Sequence, residues 1–150
     1  MARKLSTLER LAKMKPDNVI ATREYQLVQK DGTQSKVVLR FARPLPLPKP
    51  VAPGAYCVYQ IDGLPERSRA VSCPGMDAVQ ALYMAMNLSW VDLVTTDAYR
   101  EGRLTFWGIP DLGLPSATYE RHLNEIDRQR ANALRGKPPS KSPGKPSRRK

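Results

Sequence analysis

Two cysteines, one histidine and a handful of carboxylates are the residues of this chain whose types and spacing could do chemistry. Cys57 and Cys73 flank a turn centred near Pro65. If 55–61 and 67–73 fold into a hairpin, the two thiols lie opposite each other. A disulfide then requires Cα atoms within about 7 Å. In a reducing cytosol such a pair serves instead as buried small hydrophobes or free thiols. Asp62, Glu66 and Asp77 sit at a turn and at a helix start, near one end of the expected sheet. Brought together they could do acid–base work or hold a metal, and kept apart they cap turns and helices. His122 stands alone on a polar stretch, and the sequence places no Ser or Cys beside it. Gly75-Met76-Asp77 opens a helix whose N–H groups suit an anion, but the Asp77 charge opposes one. Tyr56, Gln60 and Gln80 could line a polar groove. The H-E-x-x-H, P-loop and G-x-G-x-x-G patterns do not occur. The reading therefore assigns no catalytic residue, no metal ligand and no cofactor.

The elements that must position these residues follow from periodicity and turn chemistry. Leu5, Leu8, Leu11, Ala12 and Met14 recur at helical spacing, capped by Ser6 or Thr7 and ended by Pro16. The expectation is a basic amphipathic helix over 1–15 that docks or frays. Residues 19–29 and 36–42 read as strands joined by an Asp31-Gly32 turn, with Ala21, Tyr25, Leu27, Val37, Leu39 and Phe41 facing the core. Five prolines in residues 43–53 predict a stiff polyproline crossover. A third strand over 55–61 puts Ala55, Cys57, Tyr59 and Ile61 on one face. A weaker fourth follows over 67–72. The main helix is expected over about 76–96, with Asp77 in its first turn. Val79, Leu82, Met86, Trp90, Leu93 and Val94 form its expected buried stripe, with Ala78, Ala81 and Ala85 beside it. A short strand over 103–107, a turn-rich 111–115 and a thin-striped polar helix over 116–134 complete the body.

Charge sets the classes of partner. The chain has 150 residues and a net charge of +11. Residues 1–15 carry +4, residues 136–150 carry +6, and the 120 residues between carry +1. A nearly neutral body argues against a fold built around a nucleic-acid groove. The tail is different. Lys137, Lys141, Lys145, Arg148, Arg149 and Lys150 stand among Pro, Ser and Gly, a composition that cannot bury enough surface to order itself. They form a candidate polyanion-binding arm or a solubilising tail. Tyr119, Leu123 and Ile126 are the candidate partner-binding residues of the last helix. No apolar run approaches the ~20 residues of a membrane span, and the basic start lacks the apolar core of a secretory signal.

The strand Tyr56-Cys-Val-Tyr-Gln-Ile-Asp-Gly-Leu64, the helix start Gly75-Met-Asp-Ala-Val-Gln-Ala-Leu82, Leu104-Thr-Phe-Trp-Gly and Leu112-Gly-Leu-Pro115 resemble a bacterial family of small domains of unknown function, over about residues 18–115. The resemblance implies an antiparallel sheet with one helix in a bacterial cytoplasm. It implies no activity and transfers no catalytic residue.

The expected fold is α+β: a four- or five-stranded antiparallel meander with the 76–96 helix on one face and peripheral terminal helices. The expected layout is a helix over 1–15, one domain over 16–115, a helix over 116–135 and a disordered tail over 136–150. The leading function is a non-enzymatic cytoplasmic protein-interaction module, with toxin neutralisation as one form and a homo-oligomer as another. The alternative is non-specific nucleic-acid association through the basic termini. An enzyme built on the Asp62/Glu66/Asp77 end is the third class.

Overall fold

The computed structural model of the chain describes residues 6–49 and 53–116. Ser6 caps a single helical turn, α1 (Thr7–Leu11), in a capping box: its hydroxyl accepts from the Glu9 N–H, and the Glu9 carboxylate accepts from the Ser6 N–H. The helix is shorter than the expected one and buries none of its own residues fully, but it packs beside β5 (Ala70–Gly75).

β1 (Val19–Val28) and β2 (Gln34–Ala42) form the first hairpin, in register from Ala21↔Phe41 to Val28↔Gln34. The Asp31 carboxylate closes its turn by accepting from the Thr33 N–H and hydroxyl, and those bonds hold its pKa below the usual carboxylate range. Gly32 sits at φ 84°, a conformation that favours glycine. β3 (Leu45–Pro46) and β4 (Ala55–Asp62) follow. The proline-rich stretch lies between the first hairpin and β4, as expected, and its described part adds a short edge strand that the sequence reading lacks. β2 pairs with the second half of β4, and β3 pairs with Tyr56 and Ala55 in its first half. The chain past Arg43-Pro44 therefore continues along the edge of β4 that β2 leaves. A two-residue edge strand tolerates Pro46 because it needs few ladder bonds.

β5 pairs with the other edge of β4, and β6 (Leu104–Thr105) pairs with β1 at Leu27 and Gln26. Among the described residues the sheet thus has six strands, all antiparallel, rather than four or five. β5 begins three residues later than the sequence suggests, because Pro65–Arg67 form a 3-10 turn with proline at its first position. The main helix α2 (Ala78–Val94) is tighter at both ends than the expected 76–96. Asp77 is its N-cap rather than a first-turn residue, accepting from the Gln80 N–H at 2.8 Å. A short α3 (Asp97–Arg100), capped by Thr96, follows directly and was not anticipated.

The core lies between α2 and the sheet: Tyr25, Leu27, Val37, Leu39, Phe41, Cys57, Tyr59 and Ile61 from the strands, with Ala81, Ala85 and Leu93 from the helix. Each large apolar side chain buried there contributes roughly 1.5–3 kcal/mol. Leu112 closes it from the exit segment, and its carbonyl accepts from the Tyr25 hydroxyl at 3.2 Å. From residue 117 onward the chain lies outside the described residues, as do Tyr119, His122, Leu123, Ile126 and the six tail cations.

Candidate interaction surface

α2 is built from residues that are apolar on every side. Of its 17 residues only Asp92 is charged. A helix of this kind is normally enclosed. Here one side is enclosed and the other is not. Ala81, Ala85, Ser89 and Leu93 are buried against β4 and β5, flanked by half-buried Leu82, Met86 and Trp90. The small size of Ala81, Ala85 and Ser89 lets the helix approach the sheet closely. Gly75 marks that approach, since a Cβ there would stand 2.3 Å from the Ala81 nitrogen.

The opposite side faces solvent. Met76 is 84% exposed and Val79 77%, and Tyr83, Met84, Leu88 and Val91 are also exposed. The expected buried stripe is corrected accordingly. Val79 and Ala78 point away from the core, and Met84 is exposed while Met86 packs against the core. The polar residues on the outer side already bond to their own backbone. Gln80 Oε1 accepts from the Met76 N–H at 2.6 Å, and Asn87 Nδ2 donates to the Tyr83 carbonyl at 3.3 Å. Between Met76 and Val91 the charge is that of Asp77, the N-cap, and six large apolar side chains at this exposure reach the few-hundred-Å² scale that marks a contact surface.

Asp92 is turned inward. Its Oδ2 accepts from the buried Tyr59 hydroxyl at 2.5 Å, and its Oδ1 lies 3.6 Å from Arg67. Arg67 also donates to Thr95 at 2.9 Å. Burial, and then the Asp92 carboxylate, push the Tyr59 phenol well above its usual range.

A second exposed feature lies at β6. Phe106 and Ile109 exchange backbone hydrogen bonds around a two-residue turn of Trp107 and Gly108, both at positive φ. Among the described residues Trp107 is the non-glycine residue in that region, at φ 51°, and the residue is 84% exposed. It stacks on Phe106 at 5.0 Å, and Arg23 covers Phe106 at 4.8 Å. The sequence reading missed it, because Leu104 and Phe106 alternate like a continuing strand. Gly108 was the available turn signal.

The residues singled out for chemistry are placed as follows. Cys57 and Cys73 are direct cross-strand partners, as the hairpin arithmetic implies. Both thiols are free and fully buried, and burial pushes Cys57 up to about 11 and Cys73 to about 12. Cys57 donates to the Ala42 carbonyl at 3.3 Å. The three carboxylates do not converge. Asp62 ends β4, where it pairs with Arg40 and accepts from Gln60. Asp77 follows Gly75, which lies opposite Ala55 at the start of β4, so about 23 Å of strand separates the two ends. Glu66 lines an open cleft of about 880 Å³ with Leu64, Arg67, Asp97 and Arg103. The arginines of that cleft are already engaged, Arg67 as above and Arg103 by Glu101 at 2.7 Å and by the Val28 carbonyl at 2.9 Å. Tyr56 and Gln60 lie half-buried on β4, while Gln80 is on α2, so they share no groove. Among the described residues no group of three or more His, Cys, Asp or Glu could hold a metal ion. Among them, too, no helix is long and apolar enough to cross a membrane.

A family model described as a domain of unknown function (DUF6968) matches residues 21–116. The chain belongs to that family. No curated protein and no solved structure matches it. The DUF6968 match runs from β1 through the Leu112 exit, so it takes in the sheet, α2 and the Trp107 turn. α1 and the residues beyond 116 lie outside it.

Proposed function

We propose that this chain is a non-enzymatic protein-interaction module that works by presenting a fixed apolar surface to another protein. The exposed apolar side of α2 carries this reading. A helix side that exposes Met76, Val79, Tyr83, Met84, Leu88 and Val91 gains most when covered, at roughly 25 cal/mol for each Å² of apolar surface removed from water. The exposed Trp107, held by backbone hydrogen bonds on both sides of its turn, is a second contact point of the type that anchors interfaces. Toxin neutralisation is one form of this function. The register-paired free thiols suit a reducing compartment, so the reading places the protein in the cytoplasm.

The test uses the full chain and a Val79→Glu/Leu88→Glu variant. A protein recovered with the wild type, purified and re-bound in isolation, should lose its binding to the variant. Retained binding would remove α2 from the reading. The competing nucleic-acid reading rests on the basic termini. It predicts DNA binding that weakens steeply with salt and is indifferent to the α2 variant.

A further inference from the structure

We infer that the end of α1 and the start of the proline-rich stretch form a binding site for a compact anion of two or more linked phosphates, a site independent of α2. Arg10, Lys13, Lys15 and Arg43 line one recess of about 310 Å³, together with Asn18 and Tyr56. Tyr56 alternates along β4 with the core-facing Cys57 and Tyr59, so the recess lies on the side of the sheet that α2 does not cover. The first hairpin assembles it. β2 returns the chain to the start of β1, which brings Arg43 back beside Lys15. Backbone hydrogen bonds hold the two sides together. The Asn18 N–H donates to the Lys15 carbonyl at 3.0 Å, and the Arg43 N–H donates to the Asn18 carbonyl at 2.7 Å.

The charges of this recess are unspent. All four cations are exposed, and among the described residues none of them makes a salt bridge. Arg23, Arg40, Arg67 and Arg103, by contrast, are each held by a carbonyl or a carboxylate. Among the described residues no carboxylate lines the recess. Glu9 lines a different recess beside α1 and accepts from the Ser6 N–H, and Asp17 is exposed and does not line the site. Like charges gathered without a counter-charge repel, and an anion that bridges them relieves the repulsion. A single phosphate brings about two negative charges at most, so four cations are matched by phosphates joined in one molecule. Arg10 and Arg43 supply planar forks for phosphate oxygens, and the lysines supply point charges. The recess is at the small end of ligand pockets, which run about 300–1,000 Å³. Its cations converge on one place instead of forming a track, which favours a compact anion over a nucleic-acid duplex.

Isothermal titration calorimetry of the full chain with inorganic pyrophosphate, orthophosphate and a short DNA duplex, at moderate salt, tests this. Pyrophosphate should bind at least about tenfold more tightly than orthophosphate, the worth of one further charge-assisted hydrogen bond. Lys13→Glu/Arg43→Glu should weaken pyrophosphate binding at least about tenfold with unchanged circular dichroism, since both side chains are exposed. The milder Lys13→Gln/Lys15→Gln should fall between that variant and the wild type. Lys145→Glu/Arg148→Glu makes the same change in net charge within the tail, and it should leave the affinity within about twofold because salt screens distant charges. Pyrophosphate that binds no better than orthophosphate overturns the proposal, as does an equal loss in the tail variant. A duplex that displaces pyrophosphate from the wild type and binds Lys13→Glu/Arg43→Glu less well would give the recess to nucleic acid and overturn the compact anion.

Discussion

Asp92 shows how one residue decides what a helix can present. By accepting from Tyr59 and pairing with Arg67, it takes the only charge of α2 out of the outer face. Asp92→Asn should cost about 1–2 kcal/mol in urea unfolding, toward the low end for a charged hydrogen bond because solvent reaches part of the carboxylate. The thiols make a second prediction. Cys57 and Cys73 titrate near 11 and 12 in the folded chain, against about 9 when unfolded. Above pH 9 the unfolded chain releases thiol protons that the folded chain keeps, so stability falls as pH rises and is unaffected by these groups below pH 8. The slope should approach about 1.4 kcal/mol per pH unit for each such group. Neither thiol should react with a disulfide reagent until the chain is unfolded. Trp107 makes the third. Asparagine suits the left-handed turn position better than tryptophan, so Trp107→Asn should leave stability within about 1 kcal/mol or raise it. A larger loss would make Trp107 a structural residue rather than a contact. Of these features, only the facing of Cys57 and Cys73 was legible in the sequence, because a hairpin centred on Pro65 sets it by counting.

At the scale of elements, strands with strict alternation could be read and the helix face could not. Val37, Leu39 and Phe41 alternate with Lys36 and Arg40, and all three are buried as expected. α2 offers no such contrast. With apolar residues on every side, periodicity cannot choose which side meets the sheet. Packing chooses, and it selects Ala81, Ala85 and Ser89 because small residues let the helix lie close. Gly75→Ala should therefore unfold or severely destabilise the domain, since its Cβ would meet the backbone of Gln80 and Ala81, which cannot move aside. Asp77→Ala, three atoms of side chain at the same junction, should cost only about 1 kcal/mol as a lost N-cap. Thermal denaturation of the two variants side by side checks both. The carboxylate cluster failed at this scale too. Asp62 and Asp77 are 15 residues apart in sequence, but β4 and β5 carry them to opposite ends of the sheet.

For the whole molecule, charge and apolar surface are segregated. The basicity belongs to the termini, and the domain between them is nearly neutral with one exposed apolar helix face. Composition made the first part legible. The second needed the structure, because only packing shows which apolar residues are left over. The central claim is that the left-over face is used. The most direct measurement follows the methionine methyl resonances of the full chain as a purified protein recovered with it is titrated in. Met76 and Met84 lie on the outer face of α2, and Met86 lies on its inner flank. The account expects Met76 and Met84 to shift as the partner is added while Met86 and Met14 hold still. The Val79→Glu/Leu88→Glu variant should abolish the shifts. Resonances of Met76 and Met84 that stay fixed while the partner binds would contradict contact through α2.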